Sequence, residues 1–222
     1  MILEVIVARK EDIEFINKTK ADRVELAVME FDGLTPSYDF IKEATDNINK
    51  PVNVIVRDWY ENFVYNEEQF LKILEHIEFI KTTKANGIVF GSLTKDNEIN
   101  EDQLQRVVAA KGHLELTFHK AFDYTNDFIK SYEILKKNKV TNVLTTAGHK
   151  FEDGIETLKK LVSLNGPKVL IGGGIKQTNY LDAFKISKNV HIGSLARIDN
   201  KILNNIDVEK TNKIKEEFSN ND

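Results

Sequence analysis

The 222-residue sequence contains no cysteine. That excludes disulfides, thiolate nucleophiles and Cys-ligated zinc. Proline occurs only three times, and no Pro/Gly/Ser-rich stretch, low-complexity segment or shift in composition marks a second domain. No apolar run approaches the ~20 residues of a membrane span, so no membrane is expected as a partner. The start, Met1-Ile2-Leu3-Glu4-Val5-Ile6-Val7, meets an acid at once and has no basic lead. It reads as a strand rather than a signal peptide, and a cytoplasmic address is the expectation. Net charge is −4 and no Lys/Arg run occurs, so no nucleic acid is expected as a partner.

What is present is an ordinary globular balance, 41% hydrophobic and 30% charged. A chain of this length buries about 70% of its unfolded surface and needs no metal to fold. Short β-branched runs alternate with amphipathic stretches. Strands are expected at Ile2 to Val7, Arg23 to Ala27, Val52 to Val56, Gly87 to Phe90, Leu114 to Phe118, Asn142 to Thr146, Lys168 to Ile171 and Asn189 to Ile192. Helices are expected at about Lys10 to Lys20, Ser37 to Asn49, Asn66 to Thr83, Asn100 to Ala110, Asn126 to Lys137, Glu152 to Leu164, Gln177 to Ile186 and Val208 to Phe218, with Ser219 to Asp222 fraying. Ser37 and Asn66 read as N-caps. Eight unbroken strand–helix units imply parallel strands with right-handed crossovers. In roughly 200 to 250 residues that pattern fits a single-domain α/β TIM (β/α)8 barrel spanning residues 1–222.

In such barrels the site lies at the C-terminal ends of the strands, and the interior is otherwise apolar. Charged residues inside strands are therefore informative, because an unpaired buried charge is costly. Glu4 and Glu25 sit mid-strand between apolar neighbours, Arg57 ends the third strand and His119 ends the fifth. Period-two alternation can point all four inward. Arg57 would hold a carboxylate or phosphate in a bidentate fork. Glu25, His119 and Glu4 are the acid–base candidates, and Asp123, four residues past His119, either joins them by orienting the imidazole or is a turn or cap residue. A purely structural alternative pairs Glu4 and Glu25 with Arg23 and Arg57 in buried ion pairs. The metal is unknown; its candidate ligands are Glu4, Glu25, His119 and His191.

Gly172, Gly173 and Gly174 follow the seventh strand, and Gly193 and Ser194 follow the eighth. Barrels often seat phosphate there, on backbone N–H groups and a helix N-terminus. A tight turn required by backbone geometry alone is the plainer reading. Thr145 and Thr146 could add hydroxyl contacts. Trp59, Tyr60, Phe63 and Tyr65 form an aromatic loop that is either a lid or an oligomer patch. His76 and His113 read as structural or solvated.

Ala21-Asp22-Arg23-Val24-Glu25-Leu26, Gly33-Leu34-Thr35-Pro36-Ser37, Thr117-Phe118-His119-Lys120-Ala121-Phe122-Asp123, Leu144-Thr145-Thr146-Ala147-Gly148 and Gly172-Gly173-Gly174-Ile175 together resemble the CutC copper-homeostasis family in order and spacing. The likeness runs from Met1 to about Ser194. It implies a barrel, a cytoplasmic location, frequent homo-oligomers and an association with copper handling, and it supplies no settled reaction. Three departures stand out. Lys120 replaces an Arg, Ala27 stands where many members have Cys, and Val56-Arg57-Asp58-Trp59 replaces an Arg-Pro-Arg loop. Cu(I) favours thiolate and thioether ligands, and this chain offers only Met1 and Met29. Two readings follow. One is a copper-homeostasis protein of the CutC type. The other is a barrel enzyme, independent of copper, acting by acid–base chemistry on a small anionic or phosphorylated metabolite; its cofactor is unknown, a divalent metal fits the candidate ligands, and Cu(I) does not suit a chain without cysteine.

Overall fold

A computed structural model describes residues 1–220. Eight parallel strands close into a barrel in sequence order: β1 (Ile2–Val7), β2 (Arg23–Leu26), β3 (Val52–Ile55), β4 (Gly87–Phe90), β5 (Glu115–Phe118), β6 (Asn142–Thr145), β7 (Lys168–Ile171) and β8 (Asn189–Ile192). The helices that alternate with them are α1 (Asp12–Asn17), α2 (Tyr38–Asn47), α3 (Glu67–Ile80), α4 (Glu101–Ala110), α5 (Phe128–Lys137), α6 (Phe151–Ser163), α7 (Tyr180–Ser187) and α8 (Val208–Asn220). The expected architecture is therefore observed.

Local signals place several of these helices. Ser37 Oγ accepts from the Phe40 N–H, and Asn66 closes a capping box with Gln69 at the head of α3. Three expectations differ. Helix α1 is six residues, shorter than the expected Lys10 to Lys20. Helix α7 begins at Tyr180 because Asn179 accepts the Lys176 N–H and holds residues 176–179 as a turn. Helix α8 includes Ser219 and Asn220; the last two positions of the expected frayed end lie outside the described residues.

Register decides which side chains face inward. Paired positions in parallel strands share a face: Glu4 pairs with both Arg23 and His191, and Glu25 pairs with Asn53, then Gly87 and Glu115. The alternate residues, such as Leu3, Val5, Val24, Leu26, Val54, Ile88, Leu116 and Phe118, are buried in the main apolar core between strands and helices. Ala27, Ile55 and Val89 form a separate small apolar cluster with Met29. Much of the rest of the interior is polar. Asn142 donates to Thr117 Oγ1 at 3.1 Å, Asn86 donates to Asn53 Oδ1 at 2.9 Å, and an Arg23 amino group lies 3.6 Å from Glu115.

Candidate functional site

A cavity of about 1230 Å³ opens at the C-terminal ends of the strands. Glu25, Arg57, His119, Lys120 and His191 line it, as do Gly173, Gly174, Gly193 and Ser194. The strand count and alternation had pointed to this mouth.

On the β1–β2–β8 side, Glu4 lies fully buried beneath the cavity. Its Oε2 accepts from Arg23 Nε at 2.5 Å, and its Oε1 lies 2.8 Å from His191 Nδ1. Burial alone would raise the Glu4 pKa, but Arg23 and His191 outweigh it and hold the carboxyl below its usual range. His191 is shifted the other way. Burial disfavours its cation, yet the Glu4 hydrogen bond and the nearby Glu25 and Glu4 charges raise its pKa. Glu25 Oε2 stands 3.9 Å from His191 Nδ1, too far for a hydrogen bond, and has no hydrogen-bond partner among the described residues. Desolvation dominates there, and the Glu25 pKa rises to about 7. The structural alternative is thus half right: Glu4 has its Arg23 partner, and Glu25 has no hydrogen-bond partner.

On the opposite side, His119 caps the short turn Lys120–Tyr124. Its Nδ1 accepts the Ala121 N–H at 3.1 Å, and its Nε2 is buried without a partner among the described residues. Burial, with the Arg57 cation adding to it, lowers its pKa to about 3. The imidazole is therefore neutral at physiological pH, and the expected role of a neutral-pH acid–base does not suit it. Gly91 makes this placement possible: a Cβ there would come within 2.5 Å of the His119 ring. The sequence signal was a glycine directly after β4, one step beyond the Phe90–Phe118 pair.

Two expected roles change. Arg57 is not an open fork. One amino group donates to the carbonyls of Phe31 (3.1 Å), Asp32 (3.4 Å) and Gly33 (3.1 Å), and the other donates to Tyr60 O at 2.9 Å. It ties the loops after β2 and β3 together beneath the stacked rings of Phe31 and Tyr60. Asp123 does not orient His119. The turn carries it towards β6, where it accepts from Lys120 Nζ at 2.5 Å, from Thr146 Oγ1 at 3.1 Å and from the Thr145 hydroxyl. Thr145 is consequently buried away from the cavity, and Gly172 is buried against His191 and Leu144.

Gly173 and Gly174 have φ of 107° and 75°, values that favour glycine. Lys120 lies across Gly173, where a Cβ would strike its ammonium. His76, expected at the periphery, bridges Asp58 at 2.7 Å and Tyr38 at 3.0 Å outside the cavity lining. Sequence reasoning missed Gly91 and the buried pair of Asp12 and Arg197, 2.6 Å apart.

Glu4, Glu25 and His191 each offer one ligand atom, and these lie within 4.8 Å of one another. Two of the three already engage each other, and the Arg23 cation abuts Glu4.

A structure of a phosphoribosylanthranilate isomerase from Thermotoga maritima aligns with a TM-score of 0.65 at 12% identity, over 99% of this chain and 100% of that one; this is a likeness of fold alone. A structure described as that of a proposed copper homeostasis protein CutC from Streptococcus agalactiae aligns with a TM-score of 0.80 at 29% identity, covering 86% of this chain and 98% of that one. A family protein CutC from Pasteurella multocida is 34% identical over 200 residues, 88% of this chain and 80% of that protein. The CutC family model matches residues 1–194, and this chain belongs to the CutC family.

Proposed function

We propose that the mouth of the barrel is a proton-transfer site for a small anionic metabolite, with Glu25 as the acid–base group. One observation carries this reading: Glu25 lines a deep cavity, lacks a hydrogen-bond partner on Oε2 and ionises at about 7. A carboxyl poised near neutrality can both take and return a proton. In the network beside it, both Glu4 oxygens are engaged, by Arg23 Nε and His191 Nδ1, and these charges fix the electrostatics. Lys120, braced by Asp123 and Thr146 and lying over Gly173, seats the anionic end, with Lys176 adding positive charge to the same wall. Exposed Phe31 and Tyr60 at the rim offer a surface for the homo-oligomer expected of the chain.

The copper role named for the relative from Streptococcus agalactiae fits this donor set poorly. The cluster supplies carboxylate oxygens and one imidazole nitrogen, which do not suit Cu(I). A divalent cation would have to displace the proton between Glu4 and His191 and sit beside Arg23. Metal binding at Glu4, Glu25 and His191 is the second reading, favoured only by their proximity.

Calorimetric titration with inorganic phosphate tests the proposal. Wild type binds, Lys120→Ala weakens binding roughly tenfold, as expected for loss of a charge-assisted contact, and Glu25→Gln retains it. A protein that ignores phosphate, or a Lys120→Ala variant that binds it unchanged, overturns the proposal. Micromolar Cu(I) binding that is lost in Glu25→Gln would favour the copper reading instead.

A further inference from the structure

The contacts of His119 identify the ligand atom it would meet, given the reading of the mouth as an anion site, on which this step rests. A backbone N–H can only donate. Because Ala121 N–H points at His119 Nδ1 from 3.1 Å, Nδ1 must present its lone pair, and the ring proton must sit on Nε2. The ring cannot turn away. It rests on Gly91, with no room for even a Cβ between them, and Phe63 packs against it at 5.0 Å between centroids. Nε2 is buried, belongs to a side chain that lines the cavity and has no partner among the described residues. A buried N–H without an acceptor is costly, so a ligand oxygen that supplies one is rewarded by the full desolvation cost of that group.

We propose that His119 is a permanently neutral Nε2–H donor aimed at a carbonyl oxygen of the ligand, so that the site takes an oxo anion and Glu25 moves a proton on the carbon next to that carbonyl. The two side chains come from β2 and β5, three strands apart around the ring, and reach one ligand from different sides of the same cavity. The step balances without any co-reactant. Ionised Glu25 takes the proton from carbon. The C–H electron pair becomes a C=C bond, and the carbonyl π pair moves onto oxygen. His119 Nε2–H holds that oxygen as its charge grows. Return of the proton from Glu25 to the same carbon re-forms the carbonyl and completes an exchange. A neutral imidazole is suited to this task, because its proton strengthens the hydrogen bond as charge develops without being lost at neutral pH. Arg57 supports the role from a distance: fixed by its four carbonyl contacts, its cation disfavours a second proton on the ring.

The experiment uses the full chain with 15N-labelled histidine. Between pH 5 and 9 the His119 ring, assigned by its absence in His119→Gln, should stay neutral with Nε2 protonated. Two probes then differ only at one oxygen, dihydroxyacetone phosphate with a carbonyl and glycerol 3-phosphate with an alcohol. Wild type should bind the ketone roughly tenfold more tightly, and the ketone should shift the His119 Nε2 resonance. His119→Phe should abolish the preference, and His119→Gln, which keeps an N–H, should retain part of it. A titrating or Nδ1-protonated ring overturns the donor assignment alone. Equal binding of both probes, with Nε2 unmoved, overturns the carbonyl assignment and leaves the anion site standing. Failure of both esters and of inorganic phosphate to bind overturns the anion reading together with this ligand class.

Discussion

Glu25 illustrates how a buried carboxyl can lower the stability of its own fold. The native group keeps its proton up to about 7, whereas an ordinary glutamate releases it near 4.5. A raised native pKa contributes stability that is fully present below 4.5 and is lost as pH rises through 7. Glu25→Gln cannot ionise and escapes that loss. Urea unfolding should therefore find the variant level with wild type near pH 4 and more stable by about 3–4 kcal/mol at pH 8 to 9, because each tenfold change in proton affinity is worth roughly 1.4 kcal/mol. A stability difference that does not change with pH would mean the carboxyl ionises normally in the fold. Alternation along the strands was enough to flag Glu4 and Glu25, because a charged residue between apolar neighbours in a strand has only one face left to occupy, and His119 was marked by its place just past the end of β5. The partners of those residues were not legible. Arg57 and Asp123 have the right chemistry for a ligand and for an imidazole, yet backbone carbonyls satisfy one and Thr145, Thr146 and Lys120 satisfy the other. Those contacts depend on where loops turn, which composition and spacing do not encode.

At the scale of the elements, cap chemistry made the starts of α2 and α3 readable. It failed at α1 and α7, whose first residues carry no side-chain cap. The most consequential element feature is the end of β4, where Gly91 lies under the ring that extends from β5. A glycine after a strand usually reads as a turn signal. Here its value lies in a missing Cβ facing a neighbouring strand, visible only once the register pairs Phe90 with Phe118. Gly91→Ala should force the imidazole off its seat. Overpacking of this kind costs about 1–3 kcal/mol, measurable by urea unfolding. In the labelled-histidine spectrum the His119 ring should move and lose its fixed tautomer. An alanine variant with an unaltered His119 spectrum would show that the ring is held by Ala121 and Phe63 alone.

At the scale of the whole molecule, a barrel must close its last strand on its first, and here the closure is reinforced by a residue beyond the stretch matched by the family model. Beyond β8 the chain turns back, and Arg197, fully buried, donates to Asp12 Oδ1 at 2.6 Å and to Ile6 O at 2.7 Å. Asp12 is equally buried, and its other oxygen accepts the Ala8 and Arg9 N–H groups just past β1. One ion pair therefore joins the segment after β8 to the loop after β1, next to the Glu4–His191 pairing across the seam. In the sequence, Asp12 reads as an ordinary acid in a helix's first turn and Arg197 as a surface cation. The 185 positions between them leave no local pattern to connect them. The energetics of such a pair are asymmetric: removing one partner strands a charge with no water to receive it, at a cost of about 3–5 kcal/mol. Asp12→Ala should lose that much by urea unfolding. Replacing both residues with apolar ones, Asp12→Leu with Arg197→Met, should recover a large part of it, because no charge is then left buried alone. A single Asp12→Ala variant within about 1 kcal/mol of wild type would mean that strand pairing closes the barrel unaided.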